Sequence, residues 1–358
     1  MKRKFWYWIN NIEGIGNSKI RRLLSHYEEP EEVYKAKERE LLEFIGLSEK
    51  DVHNILSSEK RNTIMRKYYD DVEHGRTFVF PYEDDYPRNL RELYDRPNIL
   101  YYRGTLPQND RYSVAIVGSR RCSDYGRHVA MELSRLLSEH NVNVISGLAM
   151  GIDTEAHKGA VYSGGRTYAV LAGGVERCYP AGNYNLYMDI IRNGGIISEY
   201  PEDTLTVPGM FPMRNRIISG LSDAVIIVEA GEKSGSLITA ACALEQNRTV
   251  YAVPGRIGDP MGRGCNELIA QGAVVITDYN TVLQDIGRAC ENTEKNNIGL
   301  ASNEKMLYSL LLDFTPRSLE TIIRESGLDT EEVIKSLICL EMNGYIREKS
   351  KNFYVRIR

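Results

Sequence analysis

Three arginines and an asparagine carry most of the chemistry this sequence offers. Arg214, Asn215 and Arg216 stand in the run from Phe211 to Leu221 (FPMRNRIISGL), and Arg120 closes Val117-Gly118-Ser119-Arg120. A guanidinium holds a phosphate with a planar fork of donors, Gly118 lets a ligand approach the main chain, and Ser119 offers a hydroxyl. Two further small-residue turns add donors. Ser146 to Asp153 (SGLAMGID) contributes Ser146, Gly147 and Gly151. In SGSLITA, Ser234, Gly235 and Ser236 open a helix whose free N–H groups and dipole favour an anion. Phe211 adds a face on which a base can stack. Several phosphate-sized sites beside an aromatic fit a polymer better than a mononucleotide. Single-stranded nucleic acid is the natural ligand class, and these residues leave RNA open beside DNA.

Each motif has a plainer reading. Arg120 can pair with Asp124, Phe211 can be a core aromatic, and Asp153 can simply cap the helix that includes His157. Asp153 and His157 are spaced i, i+4, but no nucleophile or metal set accompanies them, so a catalytic pair is disfavoured. VGSR is not G-x-G-x-x-G, and no acidic residue ends the next strand where a ribose would need it. A Walker A pattern is also missing, which removes an ATP-driven motor. At about 100° per residue, Met213, Ile217 and Leu221 share one helical face, expected to be core, while Arg214 and Arg216 lie roughly 200° apart. One arginine is therefore expected to reach a ligand and the other to tie neighbouring loops.

These residues need a scaffold that gathers turns at one edge. From Ser113 onward the pattern is strand, Gly-rich turn, helix, repeated. Val114–Val117, Asn143–Ile145, Thr167–Leu171, Gly195–Ile197, Ala224–Val228, Thr249–Val253 and Ala273–Ile276 read as strands, with helix-length stretches between most of them. The fold class is α/β: an extended Rossmann-like, mostly parallel sheet with ligands beyond the carboxyl ends of its strands. Residues 1–75 read as a helical domain, in which Gly14 and Gly16 bracket a turn that could offer amides to a phosphate or simply allow close packing. The core spans 76–284. Residues 285–303 read as a polar linker, and 304–358 as three short helices with a hairpin, a winged-helix-like domain. Its last helix is expected to start at Asp329, with Glu332 completing a capping box.

Composition sets the outer bounds. The chain has 358 residues, 42% hydrophobic and 26% charged, which points to a globular protein of two or three domains. No apolar run approaches the ~20 residues of a membrane span, and no signal-peptide pattern opens the chain, so the expected compartment is the cytoplasm. The six cysteines include no C-x-x-C and the six histidines no H-x-x-x-H, so no metal site or other cofactor is expected. A formal net charge of −4 argues against indiscriminate coating of duplex DNA.

The ordered series VGSR, SGLAMGID, the pair Tyr179-Pro180, SEYP from Ser198, FPMRNRIISGLS, VEA with SGSLITA, and VPG with RGCNELIAQGA closely resembles the DprA/Smf family of DNA-processing proteins. The stretch from Tyr86 (YPRNLRELYDRPNILYYRG) looks like that family's lead-in. The resemblance implies a Rossmann-like core that binds single-stranded DNA, forms a homodimer, and loads a RecA-type recombinase while displacing single-strand-binding protein, without catalysis. By position it implies Arg120, Phe211, Arg214 and Arg216 as DNA-binding residues, and Leu268 and Ile269 near the dimer contact. The end domains resemble the family's SAM-like, helix-hairpin-helix region and its winged helix. Many members carry a basic residue where this chain has Tyr184. The presumed recognition helix, Asp329 to Asn343, sets Glu331, Glu332 and Glu341 against Lys335, a poor match to phosphates. The competing reading is a nucleotide phosphoribohydrolase of similar fold, whose P-G-G-x-G-T-x-x-E loop corresponds to GEKSGSLITA here and lacks the glutamate.

Overall fold

The apolar runs after Gly75 become nine strands of one sheet in the computed structural model, which describes residues 2–287, 301–311 and 316–356. The strands are β1 (Thr77–Val79), β2 (Leu100–Gly104), β3 (Ser113–Val117), β4 (Asn143–Ser146), β5 (Thr167–Val170), β6 (Gly195–Ser198), β7 (Ala224–Ile227), β8 (Thr249–Ala252) and β9 (Val274–Val275). Their order is β1-β2-β6-β5-β4-β3-β7-β8-β9. β1 and β2 pair antiparallel with each other and β2 pairs antiparallel with β6, while the remaining neighbours are parallel. β3 to β7 are buried along their whole length, as expected of parallel strands covered on both faces. Alternation splits them between two apolar clusters: Tyr168 and Val170 enter one, Ala169 and Leu171 the other.

Strand order locates the ligand edge. From β3 the sheet grows through β4, β5 and β6 in one direction and through β7, β8 and β9 in the other. The turn after β3 and the turn after β7 therefore diverge to opposite sides and leave a crevice between them.

Helices cover the chain before β1 as expected, six of them from Lys2–Asn10 to Ser58–Glu73, around Trp8, Ile20, Leu23, Val33, Leu41 and Ile55. Tyr7 packs into the sheet cluster with Phe78 and Tyr101, and its hydroxyl donates to Asp71 Oδ2 at 2.5 Å. These helices and the sheet form one compact unit, Met1–Cys122 with Gly126–Val282. The Gly14–Gly16 turn is closed from within. Lys19 Nζ donates to the Gly14 oxygen (3.0 Å) and to both oxygens of buried Asp51 (2.8 and 2.7 Å). A carboxylate at that turn favours close packing over phosphate binding.

The second unit, Ser123–Tyr125 with Leu283–Arg358, holds helices Ser302–Leu310, Leu319–Ser326 and Thr330–Met342. They pack with a three-stranded antiparallel sheet of β10 (Arg317–Ser318), β12 (Phe353–Arg356) and β11 (Ile346–Ser350), in that order. The two-residue β10 is too short to leave a sequence pattern. Asp329 Oδ1 caps the third helix by accepting from the amides of Glu331 (2.7 Å) and Glu332 (3.0 Å). Within the polar stretch expected as a linker, 288–300 lie outside the described residues, as does Ile357 of the expected hairpin. No helix among the described residues is long and apolar enough to cross a membrane.

Candidate nucleic-acid site

A cavity of about 360 Å³ opens at the crevice between the turns after β3 and β7. It is lined by Gly118 and Arg120 after β3, by Ala149 and Asp153 after β4, and by Ser234, Gly235 and Ser236 after β7. Phe211, Arg214 and Asn215 complete the wall from the helix Met210–Gly220.

The turn after β3 is held by its main chain. Ser119 N–H donates to the Glu229 oxygen (2.7 Å), and the Ser119 hydroxyl accepts from Arg121 N–H (3.0 Å). That hydroxyl, expected to serve a ligand, also shapes the turn, on a buried residue that does not line the cavity. Gly118 is required here, because a Cβ would lie 2.6 Å from Ile152 Cγ1 and 3.0 Å from the Glu229 oxygen. Arg120 is left exposed. Its guanidinium forms no ion pair among the described residues and lies 4.8 Å from the centroid of the Phe211 ring.

The turn after β4 supports the cavity from behind. Ser146 Oγ donates to the Ile116 oxygen (2.7 Å), Gly147 N–H donates to Asp153 Oδ2 (3.1 Å), and Gly151 sits at φ +82° against the Ser119 and Arg120 oxygens. Ser146, Gly147 and Gly151 thus shape the loop and do not line the cavity, contrary to their expected role as ligand contacts. Burial pushes the Asp153 carboxyl up, opposed by the Arg214 charge and by hydrogen bonds from Ala149 and Gly147. His157 bonds Thr167 Oγ1 through Nδ1 (2.7 Å), and burial followed by the Arg214 charge pushes it down to about 3. Asp153 and His157 have separate partners.

The two arginines of the helix part company, as their wheel positions require. Arg214 turns inward. Nη1 donates to the Gly147 oxygen (2.8 Å) and to the Val170 oxygen, and Nε donates to Asn215 Oδ1 (3.2 Å). Burial pushes this guanidinium down to about 10, with nearby Asp153 opposing and Arg120 reinforcing the shift, so it is still cationic at neutral pH. Arg216 turns to the opposite flank. Its Nη2 donates to both oxygens of Glu199 (2.6 and 2.5 Å), and Nη1 donates to the Asp95 oxygen (2.5 Å). Glu199 also accepts from Asn17 of the N-terminal helices. Arg216 therefore ties segments together beside a separate cavity with Tyr94, Asp95 and Gln246, and does not join Arg120. Met213, expected in the core, is 52% exposed, because the helix meets the sheet only from Arg214 onward.

Ser234 caps the helix Gly235–Glu245, accepting from Ser236 N–H (3.4 Å) and sharing a hydrogen bond with the Ser236 hydroxyl (2.7 Å). Asn215 Nδ2 donates to the Gly235 oxygen (3.2 Å), fixing this helix tip to the arginine helix. Gly235 is exposed at this tip with open space around it, while the amides of Ser236 and Leu237 are taken by the Ser234 hydroxyl and main-chain oxygen. Two further tyrosines are exposed. Tyr179 lies 5.9 Å from Phe211, and Tyr184 is 57% exposed with its ring stacked on Tyr187 at 6.1 Å. Asn183, next to Tyr184, is anchored to the Leu148 oxygen and Thr154 Oγ1 (both 2.9 Å), a link that no local pattern announces. Leu268, expected near a subunit contact, is buried in the sheet cluster with Ile269 packed against it. The apolar side chains exposed at that edge are Val274 and Val275 of β9.

Two family models match the chain. The family described as DNA recombination-mediator protein A matches residues 77–287, and the DprA winged helix domain matches residues 292–350. Protein Smf of Synechocystis sp. is 36% identical over 290 residues, covering 80% of this chain and 73% of its own. DNA processing protein DprA of Streptococcus pneumoniae is 39% identical over 242 residues, 66% of this chain and 86% of that one. The X-ray structure of DprA from that species aligns with a TM-score of 0.62 at 33% identity, over 80% of this chain and 99% of that chain. A structure of DNA processing protein A from Helicobacter pylori, concerned with its single-stranded DNA binding mode, aligns with a TM-score of 0.52 at 31% identity, over 58% of this chain and 97% of that chain.

Proposed function

The chain belongs to the DNA recombination-mediator protein A family, and on that footing we propose that it binds single-stranded DNA in the crevice between β3 and β7 and carries it to a recombinase of the RecA type. The reading includes displacement of single-strand-binding protein, a homodimeric state, a cytoplasmic location, and no bond-making chemistry.

One observation carries the proposal: the exposed guanidinium of Arg120, without an ion pair among the described residues, lies over the Phe211 ring at the mouth of the cavity. A phosphate meets Arg120 beside the exposed Gly235 tip of the helix Gly235–Glu245, whose dipole favours an anion, while an unpaired base stacks beside Phe211 and Tyr179. A duplex keeps its bases inside the stack and gains only the phosphate contact. Arg214 contributes positive potential from within the wall, and Asn215 fixes the wall's position. The non-catalytic part of the reading is supported by the titratable pair beside the cavity, since Asp153 is held by main-chain amides and His157 by Thr167. Titration of the full chain with matched single-stranded and duplex oligonucleotides tests the reading. Preference for the single strand is expected, and release of free base from nucleoside monophosphates would favour the hydrolase alternative instead.

A further inference from the structure

We propose that the wing of the C-terminal unit, and not its recognition helix, is a second nucleic-acid contact, in which Arg347, Lys349 and Lys351 grip single-stranded phosphates and Phe353 takes a base. The three cations occupy alternate positions on β11 and the turn that follows, all exposed. None of them forms an ion pair with a described residue, in a unit where Lys335 is paired with Glu331 (2.7 Å) and Arg317 with Glu325. The register between β11 and β12 shifts between Glu348 and Ser350, so Lys349 is the extra residue of a bulge, a device that re-aims a side chain away from the ladder. Asn352 turns the chain at φ +64°, and Phe353 emerges 42% exposed next to the turn.

The hairpin is a fixed platform. Ile346 and Val355 are buried at its base, the Glu348 carboxylate accepts from Asn352 N–H (2.6 Å) across the turn, and Glu348 N–H donates to Glu341 Oε1 (2.9 Å). Glu348, the one acid within the wing strand, is thereby occupied in shaping the turn. The helix Thr330–Met342 has the opposite polarity. Glu331, Glu332 and Glu341 are exposed along it, and its one lysine is already neutralised by Glu331. Phosphates are repelled from the helix and attracted to the wing. Cations interleaved with an exposed aromatic fit a single strand, whose bases are free to stack, better than a closed duplex.

The test uses the full chain and a long oligothymidylate, with a duplex of equal length as the second arm. Arg347→Gln, Lys349→Gln and Lys351→Gln together are expected to lower affinity roughly tenfold or more and to reduce the log–log salt slope by about 2, three contacts at ~0.7 each. The charge-keeping set Arg347→Lys, Lys349→Arg and Lys351→Arg retains the wild-type slope. The same loss appears when the glutamine set is placed in an Arg120→Ala protein, so failure of the crevice reading and failure of the wing reading are separable. Wild-type affinity and slope in the glutamine set would overturn the proposal. So would an equal loss in the charge-keeping set, or a loss confined to the duplex.

Discussion

Arg214 stands where a Gly147 side chain would be: its Nη1 lies 2.5 Å from the position of a Cβ on Gly147 and donates to the Gly147 oxygen at 2.8 Å. The glycine of the β4 turn is thus explained by an arginine 67 residues further on, and the inner wall of the crevice depends on that fit. Gly147→Ala pushes the guanidinium off its two carbonyl acceptors and is expected to cost about 1–3 kcal/mol. Urea unfolding measures it, and an unchanged midpoint would mean that Arg214 moves aside freely.

Arg216→Ala separates stability from binding. The Arg216 and Glu199 side chains are 10% and 11% exposed, so the substitution leaves a nearly buried carboxylate without its charged partner, still hydrogen-bonded to Asn17. A loss of about 3–5 kcal/mol is expected from breaking such a pair. The single-strand affinity of the folded variant stays at the wild-type value, since Arg216 faces away from the crevice. Weakened binding with intact stability is the outcome that contradicts this assignment.

His157 gives the fold a pH dependence of known sign. Burial, and secondarily the Arg214 charge, hold its folded value at about 3, below the ordinary 6.5. Between those values the unfolded chain binds the extra proton, so the contribution is full above pH 6.5 and is lost as pH falls, at up to ~1.4 kcal/mol per unit. His157→Gln is expected to flatten the stability curve between pH 7 and pH 5 relative to wild type. Parallel curves for the two proteins would show that His157 titrates alike folded and unfolded.

Much of the sheet was legible because its signals are local. Apolar runs of four or five residues bounded by glycine, with helix-length stretches between, mark β3 to β8 within a residue or so of their ends. The positions of Arg120, Phe211 and the Ser234–Ser236 tip at one edge follow from that alternation, since all come directly after strands or begin helices. Side-chain direction was not legible. The wheel separates Arg214 from Arg216 but cannot say which one faces the crevice, because their partners are distant in sequence: Gly147 and Val170 for one, Asp95 and Glu199 for the other. Ser119 and Ser146 look like donors in a motif, yet the Ser146 hydroxyl donates to the Ile116 oxygen and the Ser119 hydroxyl accepts from Arg121 N–H, partners that only the folded turn brings near. Leu268 reads equally as core or contact until the sheet shows which side is covered.

The most direct test of the crevice is the salt dependence of single-strand binding by Arg120→Ala. Arg120 is exposed and forms no ion pair among the described residues, so the variant keeps wild-type unfolding behaviour while losing about 1–3 kcal/mol of binding and about 0.7 from the log–log salt slope. Unchanged affinity and slope, or duplex bound as tightly as single strand by the wild-type chain, would contradict the account.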